Sequence, residues 1–115
     1  MGQLYFKKYL QDAIRAGTKT TTIRRWKNPF VHAGRDAYVP GFGWLVIEAV
    51  EPIELAELSD ADAVADGFAS LAALLAALAE LYPDQAADGK RWFRVRFRRR
   101  DVPSPTQAEP KLFGK

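Results

Sequence analysis

Residues 16–24, with the sequence AGTKTTTIR, combine two cations with a run of threonine hydroxyls. Lysine acts as a base only when burial or a neighbouring cation lowers its pKa toward neutrality, and Arg24 and Arg25 supply such cations close to Lys19. The hydroxyl of Thr22 donates hydrogen bonds and becomes a nucleophile once a base activates it. The segment therefore indicates one of two chemistries, which are proton transfer at an amide and the binding of a phosphate or a base edge by charged donors.

The composition excludes several other kinds of site. The chain has no cysteine, so it forms no disulfide, zinc–thiolate site or cysteine nucleophile. His32 is the single histidine, which excludes a histidine metal cluster or a Ser–His–Asp triad within one chain. We interpret Asp60 and Asp62 as carboxylates that stabilise a helix N-terminus, and not as metal ligands. No metal or cofactor is expected.

Length and charge define the class of protein. The 115 residues and the 48% hydrophobic content predict one domain with a modest core. The net charge of +3 is compatible with an anionic partner but does not require one. We predict a cytoplasmic protein without a membrane segment, because the longest apolar run, residues 71–81, is too short to span a bilayer and contains Glu80.

The elements that hold the threonine segment can be placed from local signals. Apolar residues at helical spacing predict a helix over residues 6–16, which ends at Gly17. The β-branched residues of KTTTIRRW, 19–26, favour an extended strand. A buried strand is predicted over 44–50, and Pro52 indicates a bulge or an edge position after it.

Two short helices are predicted in the second half of the chain. Ser59 begins a Ser-x-x-Asp cap, and Gly67 interrupts the helix that follows. Ser70 caps the next helix, which Pro83 stops. The apolar stripe of this helix consists of Leu71, Leu74, Leu75, Leu78, Leu81 and Tyr82.

The segment RWFRVRFRRR, 91–100, alternates as a half-buried strand does. Phe93, Val95 and Phe97 are predicted to face the core. Trp92, Arg94, Arg96 and Arg98 are predicted on the opposite face. These arginines either steer an anionic polymer or form a solvated face paired with Glu48, Glu51 or Glu54.

Together these elements predict an α+β fold, a small β-barrel with flanking helices, over residues 1–101. Residues 102–115 are rich in proline and polar residues and predict a flexible tail. The sequence leaves the oligomeric state open.

The threonine segment also resembles a known signature. Residues 17–24 match Gly-x-Lys-x-x-x-x-Arg, which looks like the signature of the ASCH domain family. Three further segments fit that family in order: AGRDAYV at 33–39, ADGFAS at 65–70 and ELYP at 80–83. The resemblance covers roughly residues 3–100 and implies a PUA-like β-barrel. It also implies binding of RNA, nucleotides or related small molecules in a cleft beside the signature.

The resemblance assigns residues to two possible functions. As a binder, the chain would hold RNA or a nucleoside with Gly17, Lys19, Thr22, Arg24 and Trp26. A small bacterial branch similar in size removes the acetyl group of N4-acetylcytidine with a lysine, a threonine and a glutamate. By this likeness the catalytic residues would be Lys19, Thr22 and Asp66, where aspartate replaces the longer glutamate. Nucleic-acid or nucleoside binding is the leading interpretation, amide hydrolysis is the alternative, and a module that binds another protein remains a third.

Overall fold

The computed structural model describes residues 2–83 and 89–100, which form five strands and three α-helices. The predicted tail at 102–115 and the domain boundary at 101 lie outside the described residues. The elements in chain order are β1 (Gly2–Gln3), α1 (Lys8–Ala16), β2 (Thr21–Trp26), β3 (Asp36–Val39), β4 (Gly43–Ile53), a 3-10 turn (Leu55–Glu57), α2 (Asp60–Ala65), α3 (Leu71–Leu81) and β5 (Arg91–Arg99).

The strands form one mixed sheet in the order β1-β3-β4-β5-β2. The short strand β1 runs parallel to β3, and the other pairs are antiparallel. The sheet curls into a half-barrel with β1 and β2 at its edges. The prediction of an α+β fold with helices flanking a small β-barrel is confirmed. Strand β2, which carries residues 21–24 of the threonine segment, is an edge strand.

The concave face of the sheet holds the larger core. Its strands alternate apolar and polar positions, so every second side chain enters this core. The largest fully buried side chains include Phe97, Leu45 and Ile47, and α1 adds Ile14. The predicted inward residues of β5 are confirmed, because Phe93, Val95 and Phe97 are all buried here.

The helices α2 and α3 cover the other face of β2 and β5. Their smaller core contains Ile23, Leu58, Ala63, Leu74, Leu78 and Trp92. The predicted face of Trp92 is confirmed, and Trp92 is buried on that face, where the Tyr82 ring lies edge-on to it at 5.4 Å. Within the predicted stripe, Leu75 and Leu81 are exposed.

Among the described residues, none of the helices has both the length and the apolar character that a membrane span requires.

Three predicted helix caps are confirmed, although α1 begins at Lys8 and not at residue 6. Gly17 has a φ of 83°, and its N–H donates to the last carbonyls of α1. The hydroxyl of Ser59 accepts from the Asp62 N–H, and Asp62 completes the capping box. The hydroxyl of Ser70 accepts from the Ala73 N–H at the start of α3.

Strand β4 is longer than predicted. It lies between β3 and β5 over only part of its length. It pairs with β3 over Gly43–Val46 and with β5 as far as Ile53. The register shifts between Ile47 and Ala49, so the bulge lies before Pro52. Pro52 itself pairs with β5 beyond the end of β3, which is the edge position that a proline tolerates.

Candidate functional site

A buried ion pair joins the threonine segment to the end of α2. The Lys19 ammonium donates to the Asp66 backbone carbonyl at 2.6 Å and lies 3.4 Å from Asp66 Oδ2. The hydroxyl of Thr21 donates to the other carboxylate oxygen at 3.1 Å. Lys19 and Asp66 are only 2% and 3% exposed. Charged groups are removed from water to this extent only when they are paired and hydrogen-bonded, as these are.

Local backbone features bring these two residues together. The Thr20 N–H donates to the Ala65 carbonyl at 2.8 Å, which ties the link between α1 and β2 to the end of α2. Gly67 follows Asp66 with a φ of 93°, in the left-handed region where glycine is favoured. A Cβ at Gly67 would lie 3.4 Å from Lys19 Cβ and Cδ, which is ordinary van der Waals contact, so the positive φ and not the lysine stem accounts for the glycine.

Burial moves both groups of the pair toward their neutral forms. Desolvation lowers the pKa of Lys19 to about 8, although the Asp66 charge and its hydrogen bond act in the opposite direction. Desolvation also raises the pKa of Asp66, against the influence of Lys19 and Thr21. Lys19 is therefore mainly protonated at neutral pH, but it releases its proton within an accessible pH range.

Arg24 is held by different partners. Its Nε donates to the Thr22 hydroxyl oxygen at 2.9 Å, and its Nη2 donates to the Tyr5 carbonyl at 2.8 Å. The guanidinium lies over the Phe6 ring, 4.8 Å from its centroid. Desolvation lowers the pKa of Arg24, which nevertheless stays charged. Among the described residues, no carboxylate lies within ion-pair distance of this guanidinium.

The two cations open onto one cavity of about 210 Å³ beside β2. Its walls are the segment before and at the start of α1, the end of α3, and Phe68 after α2. Lys19, Thr22, Arg24 and Asp66 all line it. The other side chains of the walls are mainly aromatic and aliphatic: Tyr5, Phe6, Tyr9, Leu10, Phe68, Leu78, Leu81 and Tyr82.

The structure brings together four of the residues predicted from the sequence and leaves two outside. Gly17 is the C-cap of α1, and the cavity lining does not include it. Trp26 is buried in the larger core between Phe30 and Phe93, so it is not placed to touch a ligand in the cavity.

Sequence reasoning missed several neighbours of the site. Thr21, which the sequence analysis did not single out, donates a hydrogen bond to Asp66, and the Thr22 hydroxyl accepts one from Arg24. Tyr5 and Phe6 hold the Arg24 guanidinium, although the sequence marked Phe6 only as an apolar helix position. The ELYP segment offered a signal that was not used, since Tyr82 lies on the cavity wall.

The arginines predicted to steer an anionic polymer are paired with carboxylates. Arg94 lies 3.2 Å from Glu51 and 3.1 Å from Asp62, and Arg96 also approaches Glu51. Arg98 lies 3.3 Å from Glu48. These pairs reduce the free positive charge of the stripe and agree with the interpretation of a solvated, paired strand face.

Potential metal ligands are not clustered in the described part of the chain. No group of three or more potential His, Cys, Asp or Glu ligands occurs in the part of the chain that the structure describes. Asp60, one of the two acids in the first turn of α2, instead accepts from the Leu71 N–H at 2.8 Å.

Comparison with known proteins identifies the fold. No protein-family model and no curated protein matches the sequence. The structure is similar to an ASCH domain from Lactobacillus crispatus, with a TM-score of 0.68, 16% identity and coverage of 84% of this chain and 77% of that one. It is also similar to protein EF3133 of family DUF984 from Enterococcus faecalis, with a TM-score of 0.61, 17% identity and coverage of 85% and 79%. This chain therefore has the fold of an ASCH domain, in agreement with the resemblance of its threonine segment to that family's signature.

Proposed function

We propose that the protein binds a single nucleotide unit, free or within an RNA chain, in the cavity beside β2. The observation that carries this proposal is the Arg24 guanidinium, which lines the cavity without a carboxylate partner among the described residues. Thr22 and Tyr5 hold it in place, so its remaining N–H donors are oriented before a ligand arrives. A phosphate is the matching ligand, because a guanidinium presents paired donors to phosphate oxygens.

The charge balance of the lining also favours an anion. Three cationic residues, Lys7, Lys19 and Arg24, line the cavity against two carboxylates, Asp66 and Glu80. Lys19 is committed to Asp66 and contributes little net charge. Lys7 and Arg24 outweigh Glu80, so an anionic ligand is attracted.

The size and walls of the cavity limit the ligand. At about 210 Å³ it is smaller than the roughly 300–1,000 Å³ pockets that hold drug-sized ligands. Aromatic side chains on its walls, among them Phe68 and Tyr82, provide surfaces for a planar base. A single base with its sugar phosphate suits these walls better than a folded RNA element.

Removal of the Thr22 hydroxyl tests this proposal. Thr22→Val leaves the Arg24 Nε without its acceptor, so the guanidinium loses its fixed orientation. We expect cytidine 5′-monophosphate to bind about 10-fold or more weakly, since a hydrogen bond to a charged group contributes about 1.5–3 kcal/mol. Titration calorimetry measures the affinity.

Thr20→Val is the matched control, because Thr20 lies in the same segment but is exposed. It should leave the affinity unchanged. Equal affinities for wild-type protein and Thr22→Val, or no binding of the nucleotide by the wild type, would reject the proposal.

Amide hydrolysis is the second candidate, and the lowered pKa of Lys19 favours it. A lysine with a pKa of about 8 can take a proton near neutral pH. Its partner in this scheme is the Thr22 hydroxyl, which lines the same cavity. Thr22 Oγ1 would attack the acetyl carbonyl of N4-acetylcytidine and pass its proton to Lys19. Lys19, oriented by Asp66, would return that proton to the leaving amine, and water would then release acetate.

The pH dependence separates the two functions. Lys19 is protonated below pH 8 and neutral above it. A binding site loses one positive charge as pH rises, so the affinity for cytidine 5′-monophosphate should fall above pH 8. A lysine base gains activity in the same interval, so acetate release from N4-acetylcytidine should instead rise toward a plateau. Affinity and acetate release are each measured from pH 6.5 to 9.5.

Lys19→Met is the control for both profiles. The substitution removes the titrating group, so the affinity for the nucleotide should no longer fall above pH 8, and acetate release should be lost across this range. A profile that keeps its shape in Lys19→Met would assign the titration to another group. Acetate release that persists in this variant would remove Lys19 from the catalytic assignment.

A further inference from the structure

A second cleft lies at the opposite end of α1 from the cavity. Its lining consists of Arg15, Phe42, Trp44, Arg99 and Arg100, and its volume is about 380 Å³. We call it the arginine cleft. It combines the last turn of α1 with the first residues of β4 and the end of β5. Three guanidinium groups and two aromatic rings therefore meet at one place on the surface.

The side chains of the arginine cleft are held in position. Arg15 lies over the Phe42 ring, 4.8 Å from its centroid, and Arg100 lies over Trp44 at 5.6 Å. The Arg99 Nη1 donates to the Arg15 carbonyl at 3.4 Å, which links β5 to α1. The Trp44 ring packs against Tyr38 at 5.2 Å. A ligand that enters the cleft therefore meets preformed planes and donors.

The positive charges of Arg15 and Arg100 are only weakly compensated. Arg15 lies 3.3 Å from Asp12, and Arg100 lies 3.4 Å from Asp36. Both pairs are largely exposed, and exposed pairs are weak enough for a phosphate to compete with the carboxylate. No carboxylate belongs to the lining formed by the described residues.

We propose that the arginine cleft binds a second part of a single-stranded nucleic acid, with arginines on the phosphates and Trp44 stacked on a base. Cationic grooves with aromatic platforms bind single strands in this way. This inference rests on the proposed function, because it takes the nucleotide in the cavity to be one unit of the same nucleic-acid strand. Tyr9 lines the cavity and Arg15 lines the cleft, so about 9 Å of helix separates them at about 1.5 Å per residue. About three stacked nucleotides cover that length at about 3.4 Å each.

The test compares a ten-nucleotide oligouridylate with uridine 5′-monophosphate. The cleft variant is Arg15→Gln combined with Arg100→Gln, and its control is Lys90→Gln combined with Arg91→Gln. The control removes the same charge at the other end of β5. Fluorescence anisotropy between 20 and 300 mM salt gives the affinity for the oligonucleotide and its salt dependence.

We expect the cleft variant to lower the slope of log affinity against log salt by about 1.4, since each phosphate contact to a single strand contributes about 0.7. Trp44→Leu should weaken oligonucleotide binding about 5-fold or more through lost stacking. The affinity for the mononucleotide should not change in either variant. The control pair should keep the wild-type slope.

The remaining outcomes decide against the inference or separate it from the proposed function. An equal loss in the control pair would assign the effect to total charge and overturn the inference. Loss of mononucleotide binding in the cleft variant would make the cleft a free-nucleotide site, which also overturns it. If the mononucleotide does not bind at all but the cleft variant still weakens oligonucleotide binding, the proposed function fails and the cleft assignment stands.

Discussion

Lys19→Met and Asp66→Leu should each lower the free energy of unfolding by about 3–5 kcal/mol at pH 7, because each leaves one buried charge without its partner. The pair is almost wholly removed from water and is joined at 2.6 Å and 3.4 Å. The double variant should cost much less than the sum of the two, since two apolar side chains of similar size replace both charges. Urea unfolding of the four proteins gives the coupling.

An exposed pair on α1 provides the comparison. Lys8 and Asp12 lie 3.3 Å apart, a distance similar to that of the buried pair, but both are largely in water. Lys8→Met should change the stability by less than about 1 kcal/mol, as exposed pairs do. Additive losses in the buried cycle, or losses no larger than those at Lys8, would show that Lys19 and Asp66 do not stabilise each other.

Local features of the fold could be predicted because they depend on few neighbours. The left-handed C-cap at Gly17 involves only the four residues before it, and the N-caps at Ser59 and Ser70 involve only the three residues after them. The inward positions of β5 follow from the alternation of a single strand. Alternation gives the face of a residue but not what covers that face, so the burial of Trp92 under α3 was not visible.

The candidate site depends on contacts between distant parts of the chain. The spacing of apolar residues along the sequence carries no information about such contacts. Lys19 and Asp66 are 47 residues apart, and only the resemblance to a family signature connected them in the sequence. Trp26 shares a face of β2 with Thr22 and Arg24, but its ring packs against Phe30 and Phe93 in the larger core. The hydrogen bond from Thr21 to Asp66 likewise joins residues that are 45 positions apart in the chain.

Arg24→Met should weaken the binding of cytidine 5′-monophosphate about 10- to 150-fold, while binding of cytidine should change little. Neither Lys7 nor Arg24 has a carboxylate partner among the described residues that line the cavity, but Lys7 is exposed, whereas two hydrogen bonds hold the Arg24 guanidinium in place. The phosphate is therefore expected to depend on Arg24. Charge-assisted hydrogen bonds of this kind contribute about 1.5–3 kcal/mol. Arg24→Lys should recover only part of the affinity, because an ammonium retains the charge but not the two-pronged geometry.

Arg25→Met is the matched control for this experiment. Arg25 is the next residue of β2, but its side chain lies over Trp92 on the opposite face and not in the cavity. Its loss removes the same charge from the same strand, so a general electrostatic effect would appear equally in both variants. If Arg24→Met and Arg25→Met weaken binding to the same extent, or if cytidine loses as much affinity as its phosphate, Arg24 is not the phosphate ligand. A selective loss in Arg24→Met would place the phosphate at the guanidinium that Thr22 and Tyr5 orient.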